Sequence, residues 1–268
     1  MKRPKMIDLS LLQLQAVTTL AARRAGEYVM SNLHRRGDCN SNLRTDIKHK
    51  LDIEAQECAE AVIKEIFPGH AILGEESVDQ PQANTEWLWI VDPIDGTINF
   101  FHGLPWWCCS VAVRHCGKTI AGSVFIPEMA LMYEATCETP AICNGKVITV
   151  SETKEVTLSM LATGADKWDL NNRAFRFLRK ISEMAQRPRI LGAAAVDLCM
   201  VASGRLDGYF ESGIYTWDMA AGALIVERAG GRTDILKQYS GHRMAFLATN
   251  GHLHEICKNE LLPMLEEF

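Results

Sequence analysis

Six consecutive residues, Asp92-Pro93-Ile94-Asp95-Gly96-Thr97, constrain this chain more than any other stretch. They follow an apolar run, Trp87-Leu88-Trp89-Ile90-Val91, that reads as a buried strand bounded by turn signals. Two carboxylates then leave the strand end, separated by a proline that fixes φ. Gly96 lets the backbone approach whatever those carboxylates hold, and Thr97 adds a hydroxyl. Two carboxylates about 4 Å apart repel by about 4 kcal/mol at an effective dielectric of about 20. A chain that aims both at one point needs a proton or a cation there, and a hard, oxygen-preferring ion such as Mg²⁺ suits. The same spacing also fits a plain acidic turn, since Asp is a common turn former. The rest of the chain decides between the two.

With 268 residues, 47% hydrophobic and 23% charged, the chain can bury a sizeable core in one large or two smaller domains. A net charge of −5 argues against a broad basic surface for nucleic acid. The cluster His34-Arg35-Arg36 reads as a solvated helix end. Nine cysteines lie scattered without C-x-x-C spacing, which favours reduced thiols in the cytoplasm over a zinc site or a disulfide frame. Lys2, Arg3 and Lys5 begin the chain, but Asp8, Gln13 and Gln15 interrupt any apolar segment, so neither a signal peptide nor a membrane span is expected.

Residues 7–35 have the spacing of a long amphipathic helix, followed by a polar loop from Gly37 to Asn42. A second helix is expected from about Asp52 to Pro68-Gly69. A short strand, Ala71–Leu73, then delivers Gly74-Glu75-Glu76-Ser77. After the central motif, Val111–Arg114, Thr119–Ile126, Met132–Thr136 and Ala141–Val150 read as an antiparallel meander. A boundary near Ser151–Val156 divides residues 1–150 from residues 151–268. The second part alternates: strand Leu158–Thr163, helix Asn171–Ala185, strand Arg189–Leu191, helix Ala193–Ser203, strand Asp207–Glu211 and helix Trp217–Ala229. A strand after Gly230-Gly231, a turn near Ser240-Gly241, the strand Ala245–Thr249 and a final helix complete it. Such alternation predicts a mixed or parallel sheet covered by helices.

A third acidic junction is Trp217-Asp218-Met219-Ala220-Ala221-Gly222, where Asp218 stands at the start of an apolar helix. Its small residues let that helix press against a neighbour, and a helix N-terminus favours anions such as phosphate. Asp218 is equally suited to capping its own helix.

Together these stretches resemble the inositol monophosphatase family. The resemblance rests on Gly74-Glu75-Glu76-Ser77, on Asp92-Pro93-Ile94-Asp95-Gly96-Thr97-Ile98-Asn99-Phe100 and on Trp217-Asp218-Met219-Ala220-Ala221-Gly222. Gly192-Ala193-Ala194-Ala195 and Ala229-Gly230-Gly231 add to it, in the family's order, from about residue 50 to residue 250. It implies an α/β fold, a layered α-β-α-β-α sandwich. An antiparallel sheet with two helices would form the N-terminal part, and a mixed or parallel sheet with helices the C-terminal part. It also implies Mg²⁺-dependent, lithium-sensitive hydrolysis of a small phosphorylated polyol or sugar, inositol monophosphate foremost. Two or three Mg²⁺ ions per subunit, a homodimer, and no nucleic acid or membrane partner belong to the same expectation.

By that resemblance Glu75, Asp92, the Ile94 carbonyl, Asp95 and Asp218 correspond to metal ligands. Glu75 and Thr97 would activate the attacking water. The N–H groups of Gly96 and Thr97 would hold phosphate, while Ala194, Glu211 and Asp218 would meet the rest of the substrate. Paired cations suit phosphoryl transfer, which needs positioning and charge neutralisation rather than a protein nucleophile.

One loop departs from the family pattern. Asp46-Ile47-Lys48-His49-Lys50-Leu51-Asp52 keeps both end acids but has Lys48-His49 where the family has Val-Thr, and Ser41 where it has a lysine. Lys48 or Lys50 either substitutes for that lysine or is simply solvated. Trp106-Trp107 reads as packing, a dimer surface or a stacking site. Fructose-1,6-bisphosphatase and nucleotide 3′-phosphatase activities are the alternatives within the fold, and a catalytically weak binding or regulatory protein is the alternative outside enzymology.

Overall fold

The computed structural model describes residues 6–37, 39–43, 46–77, 81, 85–164, 173–239 and 241–266. In chain order, helix α1 (Met6–Ser31) leads to a hairpin of β1 (Cys39–Leu43) and β2 (Asp46–His49), then α2 (Lys50–Ile66). Strands β3 (Ala71–Gly74) and β4 (Trp87–Asp95) precede the short helix α3 (Thr97–His102). Next come β5 (Cys108–His115), β6 (Lys118–Ile126), β7 (Leu131–Thr136), β8 (Ile142–Cys143) and β9 (Lys146–Val147). The remainder is β10 (Met160–Thr163), α4 (Arg173–Met184), β11 (Arg187–Arg189), α5 (Ala194–Ala202) and β12 (Gly208–Tyr215). It ends with α6 (Thr216–Arg228), β13 (Arg232–Gln238), β14 (Arg243–Thr249) and α7 (His254–Glu266).

Alternation along β4 explains the layering. Successive strand side chains point to opposite faces. Trp89 and Val91 therefore join one core with Leu14, Val17 and Ala21 of α1 and Ala55 and Ala59 of α2. Leu88 and Ile90 join another with α5 and α6. A strand buried on both faces needs both kinds of neighbour, which is why its sequence is apolar without a break. The sheet runs β3-β4-β5-β6-β7-β8-β9, and a second runs β11-β10-β12-β14-β13. Helices α5 and α6 lie between them, and α4 and α7 cover the far face of the second sheet through Phe177, Ile181, Leu261 and Leu265. The observed architecture is thus the expected α-β-α-β-α sandwich.

Local differences have physical reasons. Strand β3 pairs parallel to β4, so the first sheet is antiparallel except at its edge. The expected strand Ala141–Val150 is two short strands around Asn144-Gly145, both with positive φ. Polar loop residues from Cys39 onward form a hairpin strand, and α3 falls where no helix was expected. The first helix ends at Ser31, with a single 3₁₀ turn at Leu33–Arg35 carrying the basic cluster. Residues 78–80 and 165–172, with Asn171 among them, and Ser240 lie outside the described residues, as do the side chains of Ser41, Asp46, Lys48 and His49.

The middle layer is tight. A Cβ on Gly222 of α6 would lie 2.6 Å from the Leu198 side chain of α5, whereas one on Gly69 would meet nothing within 4 Å. Gly222→Ala is therefore expected to lower stability by about 1–3 kcal/mol through overpacking. Gly69→Ala serves as the neutral control, both being read by chemical denaturation followed by circular dichroism. Equal stabilities would contradict the packing described here.

Candidate active site

Three acids of the first sheet face the middle layer because of where they fall in the strand alternation. In β3, Leu73 packs inward among the α5 and α6 residues, so Glu75, two positions on, continues on that face. The Glu75 N–H still bonds the Val91 carbonyl at 3.1 Å, which sets Glu75 beside Asp92. A side chain at Gly74 would overlap the Gln56 amide, whose Oε1 accepts the Glu76 N–H at 3.0 Å. Glycine here lets α2 fix the turn that carries Glu75. In β4, Asp92 follows Leu88 and Ile90 on the inward face.

Asp95 alone would point the wrong way, since residues three apart lie on opposite faces of a regular strand. A bulge corrects this. Asp92 pairs with Ser110 and Asp95 with Cys108, so three steps on β4 match two on β5. Pro93, which has no N–H to give a ladder, sits inside the bulge. Both aspartates thereby face inward. Gly96 follows at φ 87°, and a side chain there would strike the Trp106 carbonyl at 2.7 Å and the Ala193 methyl at 2.9 Å.

The second sheet repeats the device. Tyr209 of β12 packs inward, and Glu211 shares its face. A register shift between Glu211 and Ile214 then carries the strand on to Tyr215, so Glu211 lies within β12 rather than at its end. The Tyr209 hydroxyl donates to Glu211 Oε2, and a side chain at Gly164 would occupy the space of the Glu211 carboxylate.

Helix N-termini complete the site. Asp95 Oδ1 accepts the Ala194 N–H at 3.2 Å and Oδ2 the Ala195 N–H at 2.7 Å, both from the first turn of α5. Ala194 therefore enters the site through its backbone, which holds Asp95. Asp218 is the third residue of α6 rather than its N-cap, and its Oδ2 accepts the Tyr215 N–H at 2.8 Å. The Thr97 hydroxyl donates to the Ile94 carbonyl at 3.0 Å.

Electrostatics follow from crowding. Burial, then the facing charges of Glu75, Asp95 and Asp218, hold the Asp92 carboxyl well above the usual carboxylate range. Burial, then Glu75 and Asp95, does the same to Asp218, against the Tyr215 N–H. Burial raises Asp95 to about 6, although hydrogen bonds from Ala195, Cys108, Ala194 and Val196 favour its anion. Asp92 Oδ1 is buried and has no hydrogen-bond partner among the described residues. Among the described residues no three acid, His or Cys side chains already close around a single metal-sized point. What the site has is a set of mutually repelling acids and one buried carboxyl oxygen that the described residues leave unsatisfied. That donor set, all hard oxygen, fits a divalent cation such as Mg²⁺.

Sequence reading missed several supports. Asn99 Nδ2 donates to the carbonyls of Trp106 and Leu191, both at 2.7 Å, and so ties α3 to the turn entering α5. Its place in the Asp92–Phe100 motif was the available signal. Asp197 is buried, its Oδ1 has no partner among the described residues, and burial, Asp95 and Glu211 raise its carboxyl well above the usual range. Trp107 is fully buried with its ring edge-on to Phe100 at 5.1 Å, a packing role, and Lys50 is exposed at the start of α2.

Residues 10–262 match the model of the inositol monophosphatase family. Among relatives, "Phosphatase IMPL1, chloroplastic" of Arabidopsis thaliana is 35% identical over 271 residues, covering 96% of this chain and 72% of that protein. "Nus factor SuhB" of Pasteurella multocida is 35% identical over 237 residues, covering 87% of each. An inositol monophosphatase structure from Anabaena superimposes with a TM-score of 0.83 at 30% identity, covering 95% of this chain and 97% of that one.

The carboxyl shifts have a signed consequence. A group whose pKa rises on folding binds a proton that the unfolded chain has released, so its contribution declines with rising pH. For Asp95 it is fully present below the unfolded value of 3.8 and lost as pH passes about 6. Mg²⁺ requires the anions and relieves their repulsion. The gain in melting temperature on adding Mg²⁺ is therefore expected to grow from about pH 5 to about pH 8. A gain that is flat or shrinking over that range would contradict this electrostatic picture.

Proposed function

The chain belongs to the inositol monophosphatase family, and from that premise we propose that it hydrolyses a small polyol or sugar phosphate monoester, inositol monophosphate foremost. The observation that carries the proposal is the electrostatic crowding of Glu75, Asp92, Asp95 and Asp218, with Asp92 Oδ1 buried and given no hydrogen-bond partner by the described residues. These carboxylates and the Ile94 carbonyl would hold Mg²⁺. When bound, Mg²⁺ lowers the pKa of water and neutralises charge on the transferring phosphoryl group.

The chain's own groups do the rest. The Thr97 hydroxyl donates a hydrogen bond to the Ile94 carbonyl, which leaves its own oxygen able to accept one. With the Glu75 carboxylate it would orient the attacking water, and Glu75 would take the proton released. Backbone N–H groups at Gly96 and Thr97 would meet phosphate oxygens. Glu211, held by Tyr209, would accept hydrogen bonds from hydroxyls of the leaving group. We further propose a homodimer in the cytoplasm. The eight cysteines of the described residues are free, which supports a reducing compartment. Among those residues no helix is long and apolar enough to cross a membrane.

A second reading is a binding role beside catalysis or in its place, favoured by the relative named "Nus factor SuhB". Phosphate release from inositol phosphates, fructose 1,6-bisphosphate, nucleotide 3′-phosphates and an aryl phosphate separates these readings. Hydrolysis of inositol monophosphate is expected to require Mg²⁺, to stop with EDTA and to be inhibited by Li⁺. Turnover that survives chelation would overturn the metal-dependent account, and no turnover of any substrate would favour the binding role. Asp95→Asn is expected to remove most turnover while the melting transition remains. Glu211→Ala is expected to lower kcat/KM for inositol phosphate by about 10- to 150-fold, the cost of one charged hydrogen bond, and to spare the aryl phosphate. An equal loss on both substrates would show that Glu211 supports the fold or the metal instead.

A further inference from the structure

The bulge that turns Asp95 inward also takes its surroundings out of the β4–β5 ladder. Regular pairing stops at Asp92 with Ser110 and resumes at Asp95 with Cys108. Two consecutive thiols stand opposite this gap. Cys109 lies on the outward face of β5 with Val111 and Val113, and Cys108 on the inward face with Ala112. Because strand side chains alternate, neighbouring thiols reach the turn from both sides of the sheet. Cys109 Sγ donates to the Pro93 carbonyl at 2.9 Å. Cys108 Sγ donates to Asp95 Oδ2 at 3.6 Å. The same Oδ2 accepts the Ala195 N–H, and Oδ1 accepts the Ala194 N–H. Donors from two elements thus fix the plane of one carboxylate.

Resting on the functional reading above, we propose that Cys108 and Cys109 are positioning residues that clamp the Asp92–Asp95 turn from both faces of the sheet. In that role they set the orientation in which Asp95 meets a divalent cation. Buried cysteines commonly serve as small hydrophobes, and these two have no exposed surface. What distinguishes them is direction, since Cys109 spends its S–H on the Pro93 carbonyl inside the bulge and Cys108 spends its own on the Asp95 carboxylate that the bulge turns inward. An S–H is a weak donor. It can steer a carboxylate without competing strongly for the lone pairs that a cation takes.

Isothermal titration of the metal-free full-length protein with Mg²⁺ alone tests this. Cys108→Ala is expected to weaken Mg²⁺ binding by about 3- to 10-fold, the order expected for loss of one weak hydrogen bond to a charged acceptor. Cys108→Ser, which keeps a donor of similar size, is expected to bind within about 2-fold of the parent. Cys109→Ala is expected to weaken binding in the same direction but less, since it acts through the Pro93 carbonyl. Cys199→Ala removes a buried thiol of α5 outside the clamp and is expected to leave binding unchanged. Parent-like affinity in Cys108→Ala overturns the clamp. Failure of Cys108→Ser to restore binding, or equal weakening in Cys199→Ala, makes the sulfur mere packing and also overturns it. A parent protein that takes up no Mg²⁺ overturns the functional reading, and the clamp with it.

Discussion

Several carboxylates buried together in one layer are the constraint on which the rest of the structure depends. At an effective dielectric near that of a protein surface, each close pair costs several kcal/mol unless a positive partner is supplied. The fold supplies part of it through backbone dipoles. The first turn of α5 points its N–H groups at Asp95, and Asp218 occupies the first turn of α6. Helix N-termini stabilise acids there by about 0.3–1 kcal/mol each, up to about 2 where partly buried. That is short of the opposing repulsion, so the raised carboxyls and the orphaned Asp92 oxygen are the remainder. A cation is the partner that would balance them.

Placing the acids is a matter of strand parity. Glu75 and Asp92 inherit their direction from apolar neighbours that pack against α5 and α6, so the core and the site are specified by one alternation. Asp95 breaks that alternation, and Glu211 is followed by a second break, each marked by a register shift of one sheet. The two sheets thus deliver acids to the same layer from opposite sides. Close packing of that layer, with glycines at Gly122 and Gly222 against Ala221 and Leu198, keeps the two sides in register.

The strand ending in Asp92-Pro93-Ile94-Asp95-Gly96-Thr97 was legible because an unbroken apolar run and turn residues are local signals, while the family, and through it the layered sandwich, was legible as a resemblance carried by the three acidic motifs together. The bulge was not. Its existence depends on how many residues β5 sets opposite β4, which no window of β4 records. Glu211 likewise reads as a strand end because the polar Ser212-Gly213 that follows conceals the continuation of β12 to Tyr215. Asn99 bonds Leu191 and Asp95 bonds Ala195, partners 92 and 100 positions away. Helix α3 was hidden for a related reason: six residues carry too little periodicity to announce a helix.

The central claim is that these acids exist to hold divalent cations. Crystals grown with Mn²⁺ in place of Mg²⁺, with diffraction recorded at the manganese absorption edge, test it without reference to any substrate. The account predicts anomalous density bounded by the carboxylates of Glu75, Asp92, Asp95 and Asp218 and next to the Ile94 carbonyl. Strong manganese density elsewhere, with none between those carboxylates, would contradict it.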